Sequence, residues 1–164
     1  KVRFWSTQAR DPARHYQHSE LGYNYRMSNV VAGIGRGQLK VLDERVAKKK
    51  YIFEFYKREL GSLDGVTFMP VQPWNKPNYW LSCITLSGKV RPIDVMEALE
   101  RDNIESRPVW KPMHLQPFYE KYDYFGTDIS ERLFENGVCL PSDTKMTDED
   151  LERVVTVIKG LWKQ

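Results

Sequence analysis

The sequence predicts an α/β domain in which helices pack on a small sheet. Three observations carry this. Apolar residues recur at a three–four spacing in long segments, which is the period of a helix with one buried stripe. Only a few short segments are rich in β-branched and aromatic residues, so the sheet is small. These short segments alternate with helical ones, the pattern of a layered α/β or α+β arrangement with helices on one sheet face.

Residues 1–27 read as irregular, with a turn at Asp11-Pro12. Ser28 is placed to cap a helix running to about residue 41. Beyond it, Leu39, Leu42, Val46, Lys49, Phe53, Tyr56 and Leu60 form one helical stripe that Gly61 terminates. Residues 66–71 and 79–87 read as two strands separated by the turn-rich QPWNKPN, with Pro70 suited to an edge or strand end. Residues 92–102 form a short helix opened by Pro92. Residues 104–110 read as a strand, followed by the proline-punctuated loop WKPMHLQPFY. A brief helix over 129–135 and a strand over 137–140 follow. A final helix begins at Thr147, with a Thr-x-x-Asp cap, an acidic first turn and a buried face of Leu151, Val154, Val155, Ile158, Leu161 and Trp162.

Composition bounds the function. The 164 residues suffice for one hydrophobic core, and 41% hydrophobic with 29% charged residues describes a soluble globular chain. No apolar run reaches the roughly 18 to 20 residues of a membrane helix, and the first residues lack a signal peptide's apolar centre. With two cysteines, Cys83 and Cys139, each alone in a strand-like segment, reduced buried thiols and a cytoplasmic location are expected. The net charge is +3. The basic run AKKKYIFEFYKR, which includes Lys48–Lys50, is interspersed with Glu and reads as a solvated helix face, so nucleic acid is not an expected partner.

Candidate chemistry is sparse. Gly33, Gly35 and Gly37 have neither the spacing nor the preceding strand of a dinucleotide fingerprint. At about 1 kcal/mol each in a helix, they point instead to close packing, within the chain or across a subunit interface. Asn24 and Arg26, two residues apart in the loop before that helix, can project the same way and donate to phosphate oxygens. The alternative is a turn-capping Asn and an Arg paired with Glu20. His15, His18 and His114 lack the clustering of a metal site. His114, between Pro112 and Pro117, is either a ligand-binding or a structural histidine, with Arg107 upstream as a possible source of positive charge. No nucleophile elbow or activated cysteine is present.

The stretch ARDPARHYQHSELGYNYRMSNVVAGIGRGQLKVLDERVAKKK, followed in order by IESRPVWKPMHLQPFY and VCLPSDTKMTDEDLERVVTVI, resembles the DegT/DnrJ/EryC1/StrS family of pyridoxal-phosphate-dependent sugar aminotransferases. GYNYRM is the most specific element. The H-Y-Q-H…G-Y-N-Y-R wording is similar to branches that aminate UDP-linked 4-keto-6-deoxy sugars for bacillosamine-type or polysaccharide pathways. The resemblance implies the C-terminal small domain of the aspartate-aminotransferase fold (type I), with a mostly antiparallel sheet and packed helices. Residues 1–27 would be a remnant of the large cofactor-binding domain with an inter-subunit loop. Residues 28–164 would be the small domain with its long connecting helix.

The same resemblance implies a homodimer with active sites at the subunit boundary, pyridoxal 5'-phosphate as cofactor, a nucleotide sugar as substrate and glutamate as amino donor. Asn24 and Arg26 carry over to the cofactor phosphate, and His114, Arg107 and Lys111 to the sugar nucleotide. The family's Schiff-base lysine sits in a motif resembling S-F-N-G-N-K, which does not occur in these residues. No catalytic residue is therefore expected within the chain, which alone should be inactive and hold no cofactor. A non-catalytic dimerisation module built from an aminotransferase is the rival reading.

Overall fold

A computed structural model describes residues 1–163. It divides into two compact units, Lys1–Leu42 and the chain from Asp43 onward.

The first unit is built on backbone pairing rather than on a core. Helix α1 (Val2–Ser6) is a single turn where irregular chain was expected. After it the chain reverses through Gln8 and Ala9, both at positive φ. The 18–26 loop lies back on this reversal. The Gln8 amide donates to the Tyr23 carbonyl (3.0 Å), the Tyr23 amide to Trp5 (2.9 Å) and the Tyr25 amide to Ser6 (2.9 Å), around an antiparallel Thr7–Asn24 bridge. Gly22 makes this approach possible, since a Cβ there would stand 2.4 Å from the Ala9 nitrogen. Helix α2 (Asn29–Leu39) starts as expected at Ser28, whose hydroxyl accepts from the Val31 amide at 3.2 Å.

The second unit holds the core. Helix α3 (Leu42–Leu60) is followed by strands β1 (Val66–Phe68) and β2 (Ser82–Leu86), then α4 (Pro92–Arg101), β3 (Arg107–Pro108), α5 (Ile129–Asn136), β4 (Gly137–Leu140) and α6 (Asp148–Gly160). The sheet is antiparallel throughout, in the order β1-β2-β4-β3. Ile84, Leu86, Val138 and Leu140 meet Ile52, Phe55, Tyr56 and Leu60 of α3, Val95 and Leu99 of α4, and Leu151, Val154, Val155 and Ile158 of α6. At about 1.5–3 kcal/mol per fully buried large aliphatic or aromatic side chain, this cluster dominates the unit's stability. Alternation along β4 turns Gly137 and Cys139 to the other face. There α5 covers them, its Leu133 carbonyl 2.3 Å from where a Gly137 Cβ would lie. Helices therefore flank both faces, not one.

Several expected elements are shorter. The strand over 66–71 ends at Phe68. Met69 still donates to the Cys83 carbonyl (3.3 Å), and Pro70 follows on the edge strand with its nitrogen turned away from β2. The expected strand over 104–110 reduces to Arg107–Pro108 at the sheet edge, with the Val109 amide still donating to the Gly137 carbonyl (3.1 Å). The α3 stripe is displaced. Leu39 and Leu42 are 68% and 49% exposed, while Ile52 and Phe55, outside the expected stripe, are buried. Lys49 corrects the picture of a solvated basic face. Its amine donates to the carbonyls of Trp80 (3.0 Å) and Ser142, and desolvation holds its pKa below the ordinary lysine range.

The predicted Thr147 cap forms, and α4 has a cap that was not expected. The Arg91 amide donates to Asp94 (2.8 Å) at α4. Thr147 and Asp150 exchange amide-to-side-chain bonds of 2.9 and 3.2 Å at α6. No helix of the described residues is long and apolar enough to cross a membrane, and no cluster of three His, Cys, Asp or Glu among them could hold a metal ion.

Candidate functional site

The first unit presents Asn24 and Arg26 as exposed donors. Tyr23 and Tyr25 stack with ring centroids 5.3 Å apart, so these two side chains share one side of the extended loop. Alternation then puts Asn24 on the other side, with Arg26 next in the same register. Among the described residues neither the Asn24 amide nor the Arg26 guanidinium has a hydrogen-bond partner. The pairing of Arg26 with Glu20 does not form. Glu20 instead takes Lys1 Nζ at 2.8 Å and Trp5 Nε1 at 2.7 Å. Those two bonds, Lys1 first, hold its carboxyl below the usual range. Asn24 borders a hollow of about 420 Å³ that Gln8, His18, Glu20 and Tyr23 also line. His18 is occupied there, its Nδ1 2.8 Å from the Gln8 carbonyl oxygen.

Just behind this loop, α2 lies open. Val30, Val31 and Ile34 are 73%, 52% and 60% exposed. A Cβ added at Gly33, Gly35 or Gly37 would meet nothing within 4 Å. Among the described residues, then, no close packing of these glycines forms.

In the second unit, Arg107 and Lys111 line one cleft of about 550 Å³, together with Leu81, Trp110, Phe134 and Cys139. β3 places Arg107 directly across from Cys139. Arg107 is fully outside the core and pairs with Glu105 at 2.5 Å, both side chains more than 70% exposed. Such a pair is worth little in water and yields readily to an incoming anion. His114 is not in this cleft. Its Nε2 lies 3.0 Å from Glu131 Oε1 of α5, and its ring stacks on Tyr124 at 3.6 Å. At 16% side-chain exposure, it ties the proline-rich loop to α5.

Sequence reasoning missed the aromatic wall. Trp110 faces Trp80 at 5.8 Å, and both are more than 60% exposed. Two tryptophans left in water beside two cations resemble a ligand surface more than a folding error. Their signal was an aromatic in each of two turn-rich segments, WNKPNYW and PVWKP, which only the sheet brings together.

Comparison with known proteins gives this geometry a context. The model of the DegT/DnrJ/EryC1/StrS aminotransferase family matches residues 1–159. EpsN of Bacillus subtilis (strain 168), whose name classes it with the pyridoxal phosphate-dependent aminotransferases, is 47% identical, over 99% of this chain and 43% of that protein. The GDP-perosamine synthase of Caulobacter vibrioides is 32% identical, over 96% of this chain and 43% of its own length. The crystal structure of the aminotransferase TlmJ from Streptoalloteichus hindustanus superposes with a TM-score of 0.85 at 23% identity, covering 97% of this chain and 43% of that one. The fold is thus the α/β fold of these aminotransferases, and the chain spans less than half the length of the relatives it matches.

Proposed function

Because the chain belongs to the DegT/DnrJ/EryC1/StrS aminotransferase family, we propose that it works as part of a pyridoxal-phosphate-dependent enzyme that transfers an amino group, with glutamate as donor, to a nucleotide-linked keto-deoxy sugar in surface-polysaccharide or glycan synthesis. The GDP-sugar chemistry named for the Caulobacter relative supports this substrate class. When bound, the cofactor supplies the electron sink that lets an amine change carriers.

The observation that carries the reading is the uncommitted Asn24–Arg26 pair. In our assignment the Asn24 amide and the Arg26 guanidinium donate to the cofactor phosphate. Charge-assisted bonds of this kind are the stronger class of hydrogen bond, and the arginine fork suits a phosphate's paired oxygens. Residues 1–27 belong on this reading to the large domain's side of the enzyme, and 28–164 to the small domain. The open face of α2 then serves a homodimer, in which the donors reach a cofactor held mainly by the partner. Arg107 and Lys111 neutralise the pyrophosphate of the sugar nucleotide, with Trp110 beside them. His114 holds the loop that carries Lys111, its Nδ1 edge left for the sugar. Moving protons at the reacting carbon falls to a lysine outside these residues, since none of the lysines here stands in the S-F-N-G-N-K context.

The test is the complete enzyme carrying this chain, assayed with glutamate and a nucleotide-linked 4-keto-6-deoxy sugar. Production of amino sugar with 2-oxoglutarate is expected, and a complete enzyme that aminates no such sugar overturns the reading. Asn24→Ala should weaken cofactor retention by about 1–3 kcal/mol, the cost of a lost buried donor. An unchanged cofactor dissociation constant would remove Asn24 from the site. The 164-residue chain alone should develop no visible absorbance with pyridoxal phosphate. A stable coloured adduct on one of its lysines would reverse that.

A further inference from the structure

The sheet face under α5 holds two nucleophiles that the amino-transfer reading leaves unused. Cys83 of β2 and Cys139 of β4 are direct register partners. Both are free thiols, and their sulfurs lie 3.6 Å apart.

The phase of the hydrogen bonds fixes what sort of pair this is. The Met69 amide donates to the Cys83 carbonyl at 3.3 Å, so the polar backbone groups of Cys83 turn toward β1. The Val109 amide donates to the Gly137 carbonyl at 3.1 Å. Cys139 and Arg107 follow two residues along that ladder, so the polar groups of Cys139 turn toward β3. Neither cysteine turns its backbone toward the other. They form a non-hydrogen-bonded pair, the kind whose Cα atoms approach to about 4.5 Å with the side chains closest. That separation falls within the roughly 4.4–6.8 Å a disulfide spans.

The two sulfurs are unequal. Cys139 is 7% exposed, in the wall of the 550 Å³ cleft, and Cys83 is half-buried. The contact between the two sulfurs lowers the Cys83 pKa, while the same contact and burial raise that of Cys139. The more exposed cysteine, Cys83, thus carries the thiolate character that attack on an oxidant needs.

We propose that Cys83 and Cys139 form a reversible dithiol–disulfide site, oxidised by hydroperoxides and restored by small thiols. The Cys83 thiolate attacks a peroxide oxygen. The S–O bond forms as the O–O bond breaks, and the departing hydroxide takes up a proton to become water. The Cys139 sulfur then attacks the sulfur of the Cys83 sulfenic acid. The S–S bond forms, the S–O bond breaks, and the oxygen leaves with the Cys139 proton as a second water. Two thiols have given up the two electrons that hydrogen peroxide gains. The product joins β2 to β4 one strand away from Arg107.

The experiment uses the reduced, unaltered chain. It is treated with hydrogen peroxide, unfolded in the presence of a maleimide and weighed intact. The site requires that both thiols escape alkylation together, that the protein be lighter by two hydrogens, that a Cys83–Cys139 peptide appear in a non-reducing digest, and that dithiothreitol restore both thiols. In Cys139→Ser, dimedone should trap a sulfenic acid at Cys83. If both thiols stay alkylatable, if the links form only between chains, or if one sulfur runs on to the sulfinic acid unlinked, the site does not exist.

Discussion

Tyr56 is completely buried in α3, and its hydroxyl donates to the Pro141 carbonyl at 2.8 Å. Removing that hydroxyl in Tyr56→Phe leaves the carbonyl unpartnered, so urea unfolding should show a loss of about 1–3 kcal/mol. Burial also raises the phenol above its ordinary range. The folded chain keeps this proton at a pH where the unfolded chain, with a tyrosine pKa of about 10, has released it. The stabilisation is therefore complete below pH ~10 and declines as pH climbs past it. Plots of urea midpoint against alkaline pH should fall less steeply for Tyr56→Phe than for the parent; equal slopes would mean another group carries the effect. At this scale the sequence was legible where a side chain acts within its own turn, as Ser28 and Thr147 do. It was opaque where partners lie far apart along the chain. Nothing in GYNYRM reveals that Glu20 is already held by Lys1 and Trp5, leaving Arg26 unpaired. Nothing in two separate strands reveals that Cys83 faces Cys139.

Helix boundaries followed from caps and prolines, which are local chemistry, and so α2, α4 and α6 lay close to their expected places. Strand lengths did not, because pairing is decided by the neighbouring strand. Residues 104–110 look β-prone throughout, yet only Arg107 to Val109 pair with β4. Two tests belong here. Thr147→Ala should cost about 1 kcal/mol through loss of the α6 cap, read from thermal or urea melts. In α2, Gly33→Ala adds a methyl that meets nothing within the chain. It should gain up to about 1 kcal/mol of helix stability in the monomer, seen as raised helicity by circular dichroism. In the complete enzyme the same methyl should weaken the dimer, seen by sedimentation. A dimer of unchanged affinity would mean that this face meets no second backbone.

The two compact units differ in what holds them. From Asp43 onward lies a core of fourteen buried residues packed between the sheet and α3, α4 and α6. In Lys1–Leu42 the only buried hydrophobic among the described residues is Ala9, and the loop is kept by a handful of backbone bonds. Hydrogen exchange on the isolated chain should therefore find the Gln8, Tyr23 and Tyr25 amides exchanging early and those of β2 and β4 late. Slow exchange at Tyr23 would show that the loop is self-sufficient. The overall fold was readable because periodicity and caps encode a core of this kind. The proposed site was legible only through GYNYRM, since an exposed loop has no period of its own. The facing thiols also give the sheet a gauge of its own assembly. A bifunctional bimane, fluorescent only after capturing both sulfurs, would light up when β2 settles beside β4 in the correct alignment. A slip of one residue would send the sulfurs to opposite sides and leave the dye dark.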